Sequence, residues 1–363
     1  KFIMAYTTIP KSSDYFNTIT WTGDSTTPKN IEGVGFQPDL IWGKIRSQAY
    51  SHQIYDTVRG FGNDKELTPN NTNAEGGTNA EVYGYLSAVT SDGFTAVKGT
   101  DATGYDYWNE SPDTYVAWNW LANGAGSANT DGSISSTVSA NTTSGFSIVS
   151  YTGNATSGAT VGHGLGSTPK MIIFKDRSNV NGWHTYHSSF ANATDLLLLD
   201  TDGALYTANN YINNTRPTSS VFSLGNTAGT NGSSANYIAY CFADVQGFSK
   251  FGNYTANGST DGTFIYTGFK PAFFLAKRIT NGTEPWVMFD NKRANPFNGV
   301  TGILKPNLNE AETTQGAGPS MDFLSNGIKF RNTDGTFNNS GIEFIYMAFA
   351  EQPLVGDNPA TAR

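Results

Sequence analysis

A single cysteine in 363 residues, Cys241, excludes an internal disulfide framework. Its apolar run, Tyr237-Ile238-Ala239-Tyr240-Cys241-Phe242, marks it as a small buried hydrophobe rather than a nucleophile. Charge is also sparse: 14% of residues are charged and the formal net charge is −8. No Lys/Arg cluster exceeds the Lys292-Arg293 pair, so neither a phosphate-binding stripe nor an anionic-membrane patch is present, and nucleic acid is not an expected partner. The longest apolar runs, Leu196–Leu199 and Pro271–Ala276, fall short of the ~18 residues of a membrane span, so no membrane insertion is expected. The start, Lys1-Phe2-Ile3-Met4-Ala5-Tyr6, lacks the basic stretch and long apolar core of a secretory signal, and Met4 is a candidate initiator with residues 1–3 upstream of it. The many Asn-x-Ser/Thr triplets, such as Asn141, Asn154 and Asn192, are what chance supplies in so Asn-, Ser- and Thr-rich a chain.

Helix formers are scarce, whereas glycine (40), tyrosine (18) and phenylalanine (23) are abundant, a palette of strands and turns. Aromatics at 13% exclude a disordered chain. The length implies two or three cores of roughly 100–150 residues each.

The sequence repeats itself three times. Gly35-Phe36-Gln37-Pro38-Asp39-Leu40-Ile41-Trp42-Gly43-Lys44, Gly166-Ser167-Thr168-Pro169-Lys170-Met171-Ile172-Ile173-Phe174-Lys175 and Gly268-Phe269-Lys270-Pro271-Ala272-Phe273-Phe274-Leu275-Ala276-Lys277 share the pattern G-x-x-P, an apolar run, then Lys. Proline suits a strand entry, the unbroken apolar run predicts burial on both faces, and the lysine is expected where the strand meets water. A second element follows each time, Gln53-Ile54-Tyr55-Asp56, Trp183-His184-Thr185-Tyr186-His187 and Trp286-Val287-Met288-Phe289-Asp290. A third closes the unit: Tyr115–Trp120, Tyr237–Phe242 and Phe344–Phe349, each framed by aromatics. Phe16–Asp24 and Phe146–Asn154 open the first two units, with a looser version at Asn253–Gly258. Asp92-Gly93 and Asn326-Gly327 predict hairpins with type I′ turns.

These signals predict an all-β chain of three tandem, diverged β-sandwich-like modules of antiparallel sheets with little helix. The modules span residues 4–128, 129–250 and 251–363. Residues 122–144 read as a linker or exposed loop, Val245-Gln246-Gly247-Phe248 as a tight junction, and at most a turn or two of helix is expected around Asp195 or at 307–313.

The segments Met4–Ile9 with Tyr15–Thr18, Gly33–Trp42 leading to Tyr55–Gly60, His163–Ile173 leading to Trp183 and Tyr186-His187, and the finish Tyr346–Glu351 with Pro359–Arg363 resemble an uncharacterised repeat-domain family. It occurs in structural, tail-fibre-like or surface-decoration proteins of marine and cyanobacterial tailed phages. The resemblance implies a virion protein, on the exterior of tail or capsid, with other virion proteins as partners. It carries no catalytic or binding residues across.

His163, His184 and His187 crowd the second unit, but His184 and His187 fall on opposite faces of a strand, so no metal site is expected. Asn192–Asp195 and Asp200–Gly203 offer oxygen ligands for calcium without a full twelve-residue loop, and plain turns are the better reading. Gly162-His163-Gly164-Leu165-Gly166 precedes a strand, not a helix, and predicts a tight turn rather than a phosphate loop. No cofactor is expected. The most suggestive stretch is Asp101–Glu110, in which Tyr105, Asp106, Tyr107, Trp108 and Glu110 could contact a glycan. The simpler expectation is a loop docking its aromatics onto its own module, and units two and three lack the mix. A non-enzymatic virion component that attaches to a host surface, free of any convergent catalytic set, is therefore the first expectation. A capsid decoration or head fibre and a glycosidase-type depolymerase of a tailspike are the alternatives. Fibres and decorations are usually symmetric, which predicts a homotrimer or another symmetric homo-oligomer.

Overall fold

Each G-x-x-P motif leads into a strand covered on both faces. In the computed structural model, which describes residues 6–208, 210–293, 298–314, 318–355 and 359–360, these strands are Leu40–Ile45, Met171–Asp176 and Phe269–Arg278. The Met4 start lies outside the described residues. Alternate side chains enter different cores: Leu40 and Trp42 join one shared by all three repeats, while Ile41 joins one belonging to the first repeat. Met171 and Ile173 against Ile172 and Phe174 show the same division. Pro38 and Pro169 precede their strands, but Pro271 sits inside its own, and the pairing slips on either side of it. A residue without an N–H interrupts a ladder in this way.

Every repeat builds the same antiparallel four. The opening strands are Phe16–Thr22, Phe146–Thr152 and Ser249–Thr255, the aromatic strands Gln53–Asp56, His184–His187 and Val287–Asp290, and the closing strands Thr114–Trp120, Asn236–Phe242 and Glu343–Pro353. Their order is opening, closing, proline-led, aromatic in all three. Even the register repeats: Phe16 faces Trp120, Phe146 faces Phe242 and Ser249 faces Phe349. The chain is all-β, with each four backed by a smaller outer sheet in a sandwich-like pair. The outer strands are Lys29–Glu32, Gly93–Val97 and Tyr85–Thr90 in the first repeat, Ala159–Gly162 and Val221–Leu224 in the second, and Phe264–Tyr266, Gly327–Phe330 and Met321–Leu324 in the third.

Four expectations are corrected. Residues 122–144 do not form a plain linker: Ser127–Asn129 and Ser136–Asn141 add two strands to the second sheet, so a break at 128/129 falls inside a strand, as does one at 250/251. Asp195–Leu198 is a strand, and the short helices lie elsewhere, at Ala80–Tyr83, Ala228–Asn231 and Gly335–Asn338. The hairpins at Asp92-Gly93 and Asn326-Gly327 exist, but neither turn has the positive φ of type I′. Their glycines are needed for space instead. A Cβ on Gly93 would stand 1.9 Å from the carbonyl oxygen of Ile31, and one on Gly327 2.1 Å from that of Ile265.

The lysines are the fourth correction. Lys44, Lys175 and Lys277 are buried rather than at the water's edge. Lys175 donates to the carbonyls of Asn181 (2.8 Å) and Thr72 (3.2 Å), and Lys277 to those of Glu284 (2.6 Å) and Asp202 (3.0 Å), so each bridges to the preceding repeat. Lys44 donates to Ile45 and Gln48 of its own repeat. Burial costs a charge less when two carbonyl dipoles face it.

The three fours face one another around a common core. Trp120, Phe242 and Phe349, which hold the same register position, meet there with ring centroids 6.3, 6.1 and 5.7 Å apart. The repeats are thus arranged about a pseudo-threefold axis, and bonds between them run in a ring. Trp118 donates to Asp290 (2.9 Å) and Tyr240 to Asp56 (2.8 Å), while His187, at the position of those aspartates, meets the carbonyl of Tyr346 at 3.2 Å. At a second equivalent position Trp183 donates to Thr68, Trp286 to Leu198, and the His52 ring meets Lys305. Two seams carry matching ion clusters: Asp56–Arg59–Glu75–Arg177 and Asp290–Arg293–Glu312–Arg46.

Arg59→Met strands Asp56 in the interior without its partner and is expected to cost about 3–5 kcal/mol in denaturant unfolding, against about 0–1 for Lys11→Met at the exposed pair with Asp14.

The buried titratable groups also set a pH dependence. Burial lowers Lys44 to about 7 and Lys175 and Lys277 to about 8, and lowers His52 well below its ordinary value and His187 to about 4. Both rings accept at Nδ1, from Trp42 and from the Ser189 amide, so each is a neutral Nε2–H tautomer. Unfolded lysines titrate near ~10.4, so from about pH 7 to 10 the unfolded chain holds more protons and stability rises with pH; unfolded histidines charge below ~6.5, so stability falls as the solution is acidified. The denaturant midpoint should therefore be higher at pH 9 than at pH 7 and lower at pH 5. A midpoint that falls from pH 7 to 9 contradicts the lysine assignment.

Candidate functional site

The loop from Lys98 to Asp113 in the first repeat holds the stretch that the sequence singles out, and Asp106 organises it. Its carboxylate accepts from the amides of Gly99 (2.6 Å), Trp108 (2.7 Å) and Asn109 (2.8 Å), and it is 2% exposed. Burial pushes its pKa up, while the amides that favour the charged form oppose the rise. Gly84 makes room for it, since a Cβ there would be 2.8 Å from the carboxylate oxygens.

Trp108 is fully buried and lies parallel to Trp21 at 6.5 Å, which donates its indole N–H to the Trp108 carbonyl. It also explains Gly43 in the first proline-led strand, where a Cβ would come within 2.3 Å of the Trp108 ring. Tyr107 is buried as well, edge-on to Tyr105 and Tyr83. Glu110 pairs with Lys98 at 2.7 Å and accepts from the Ser25 hydroxyl at 2.9 Å. The expected glycan-contact set is thereby corrected: Asp106, Tyr107 and Trp108 face their own repeat, because the loop folds back to fill the gap between the two sheets.

Tyr105 remains at the surface. It stacks on Tyr50 with centroids 3.6 Å apart and meets Tyr83 at 4.7 Å, and all three rings are only partly buried. Burial raises the Tyr50 phenol, helped by the carboxylates of Asp113, Asp101 and Glu110 nearby. Asp101 holds the loop in place by accepting from the Tyr105 amide at 3.0 Å. Rings and hydroxyls grouped in this way can hold a sugar face or a partner's side chain. The arrangement offers no carboxylate pair across a cleft: Asp106 is enclosed and Glu110 is ion-paired.

The histidines have separate partners. His163 meets Thr218 and accepts from Leu165 within a turn where Gly164 and Gly166 have positive φ, His184 meets the Gly182 carbonyl, and His187 reaches Tyr346. In the candidate calcium loops the Asp195 and Asp200 carboxylates accept from the amides of Asn192 and Trp183. Among the described residues, no three His, Cys, Asp or Glu side chains are grouped to hold a metal ion, and no helix is long and apolar enough to cross a membrane.

Sequence reasoning missed a threefold asparagine clamp. Asn109, Asn231 and Asn338 are fully buried, and their amides donate to the turn after the opening strand, at Thr26, Thr156 and Ser259. Each stands six positions before a closing-strand aromatic, Tyr115, Tyr237 and Phe344, a spacing visible in the sequence. The Asp-x-x-Arg pairs Asp56/Arg59 and Asp290/Arg293 were equally visible.

Geometry and topology together define a class: an all-β chain in which three repeated sandwich-like units close around one aromatic core, with loop-borne features on single repeats. The chain belongs to the family described as Domain of unknown function (DUF7483), which matches residues 11–353. That span covers all three repeats, so the family unit is the whole ring. No curated protein matches the chain.

Removing the carboxylate charge while keeping the shape tests the division of labour in the loop. Asp106→Asn is expected to cost about 2–4 kcal/mol in unfolding by weakening bonds to three amides, whereas Tyr105→Ser should cost under about 1.5 kcal/mol at its half-exposed position. Equal costs would mean that Asp106 does not organise the loop.

Proposed function

We propose that the chain is a non-enzymatic structural component of a tailed-phage virion, an appendage or tail-fibre-like part on the particle exterior that contacts the host surface. The supporting observation is the closed ring: three copies of one unit bury a shared aromatic core and carry their loops around it, giving a body whose surface features can vary without disturbing its centre. The Tyr50–Tyr83–Tyr105 group is such a feature, present on one repeat and suited to a glycan. Its partners are other virion proteins and, through that group, a host surface glycan.

The internal threefold favours a second reading, a capsid decoration, because one chain of this build can sit on a threefold site of a head lattice without forming a homotrimer.

Purified particles examined by mass spectrometry and by subunit placement in a virion map test both readings. Copies at the tail or on fibres support the first and copies on the head lattice the second, and absence from washed particles overturns both.

A further inference from the structure

The outer sheets of the three repeats share an edge strand, and each edge is finished differently. These strands are Lys29–Glu32, Ala159–Gly162 and Phe264–Tyr266, each shortly after the turn that a buried asparagine holds. Ile31, Val161 and Ile265 are their inward-facing residues at matching positions, paired with Phe94, Phe222 and Ile328 of the one neighbouring strand. An open edge is a template for another strand unless something covers or charges it.

The second edge is covered by this chain itself. The segment between the closing strand of the first repeat and the opening strand of the second lays Ile134 beside Val161 as a parallel bridge. The Ile134 amide donates to the Thr160 carbonyl (3.0 Å), the Thr160 amide to the Ser133 hydroxyl (2.9 Å), and the Ser136 hydroxyl to the Gly162 carbonyl (3.3 Å). Ile134, 7% exposed, enters the core of that repeat. The first edge is charged instead: Lys29 pairs with Asp24, and Glu32 is exposed.

The third edge has neither protection. The residues before its opening strand, 243–248, are taken up by the turn that the Val245 carbonyl closes on the amides of Phe248 and Ser249. Thr263 to Gly268 carries no charged side chain, and Phe264 and Tyr266 are 44% and 57% exposed. The Phe330 amide donates to the Thr263 carbonyl (3.3 Å) and the Thr267 amide to the Asn326 carbonyl (3.0 Å), which puts Thr263, Ile265 and Thr267 in the bonded pairs. The N–H and C=O groups of Phe264 and Tyr266 therefore face the open side, and no second strand pairs with them among the described residues.

We propose that the edge Phe264–Tyr266 takes up an extended strand donated by a different polypeptide, laid parallel to it as Ser133-Ile134 lies on Ala159–Gly162. A second copy of this chain does not offer that segment, because its own is seated on its second repeat. The donor has the chemistry of the internal example, an uncharged run of small hydroxyl residues around one aliphatic side chain. Its hydroxyl accepts from the Phe264 amide, the next amide donates to the Phe264 carbonyl, and the aliphatic side chain packs beside Ile265. The edge carries this inference; only the assignment of the donor to the virion rests on the reading above.

Titrating the full chain with the heptapeptide of residues 132–138, Gly-Ser-Ile-Ser-Ser-Thr-Val, followed by amide NMR, tests it. Amide shifts at residues 263–267 should saturate at millimolar peptide, and Ile134→Pro in the peptide, which removes the donated amide, should weaken binding at least about tenfold. In the chain, Phe264→Pro removes an N–H that no neighbouring strand uses and should abolish binding. Tyr266→Glu, which places a charge where the first edge has Glu32, should weaken it about tenfold, and its exposed position keeps the test valid should Phe264→Pro not fold. Val180→Glu, on an exposed side chain of the second repeat, should change nothing. Absence of shifts at 263–267, equal binding of the proline peptide, or binding indifferent to Tyr266→Glu overturns the proposal. So does a dimer that sediments without peptide and dissociates with Tyr266→Glu, which would assign the edge to a second copy of this chain. Particles that lack the chain would remove the virion reading and leave this titration as it stands.

Discussion

Three rings, Trp120, Phe242 and Phe349, meet where the sheets converge, and the rest of the molecule follows from the need to cover them. A four-stranded sheet with apolar residues on both faces cannot bury itself, and one outer sheet covers only one face. The other must meet something of the same kind. Three copies turned toward one another satisfy that need, and because the rings share a register position, each copy presents the same face at the same height. Fully buried aromatics of this size contribute a few kcal/mol apiece, so loss of the centre would expose all three units at once.

Closing a ring of sheets brings polar groups into the interior, and the three seams resolve this in two ways. Where an aspartate occupies the end of the aromatic strand, an arginine three residues on neutralises it and a neighbouring repeat donates to it. Where His187 stands there, a neutral ring meets a backbone carbonyl instead. The buried lysines serve the same end, tying a strand terminus to backbone carbonyls around it. Repetition of the framework therefore coexists with divergence at each joint, and the loop group around Tyr105 belongs to that divergent layer.

Much of this framework was legible in the sequence. The G-x-x-P strands, the aromatic strands and the closing strands all lie where the repeated motifs put them, because burial on both faces forces an unbroken apolar run that few other arrangements produce. The lysines misled because a charge at a strand end normally signals solvent, and one of the two carbonyls that receive each of Lys175 and Lys277 comes from another repeat. The Asp92-Gly93 and Asn326-Gly327 pairs misled in a related way: they mark hairpins, but the glycines answer to a neighbouring strand rather than to the turn. Asp106, Tyr107 and Trp108 dock onto their own repeat, which was the simpler expectation for the loop; the glycan alternative stayed open because alternating acids and aromatics say nothing of the direction in which a loop folds.

The sequence by itself determined that the chain is all-β, that one unit is written three times, and which strands make that unit, since those properties depend on local periodicity and short-range spacing. Only the tertiary structure decided that the units close into a ring, that the lysines and Asp106 lie inside, and that the seam without a connecting peptide is closed by Trp118 on Asp290 and Arg46 on Glu312. Those depend on which surfaces meet, and distances between residues more than a hundred positions apart are set by packing rather than by any local pattern.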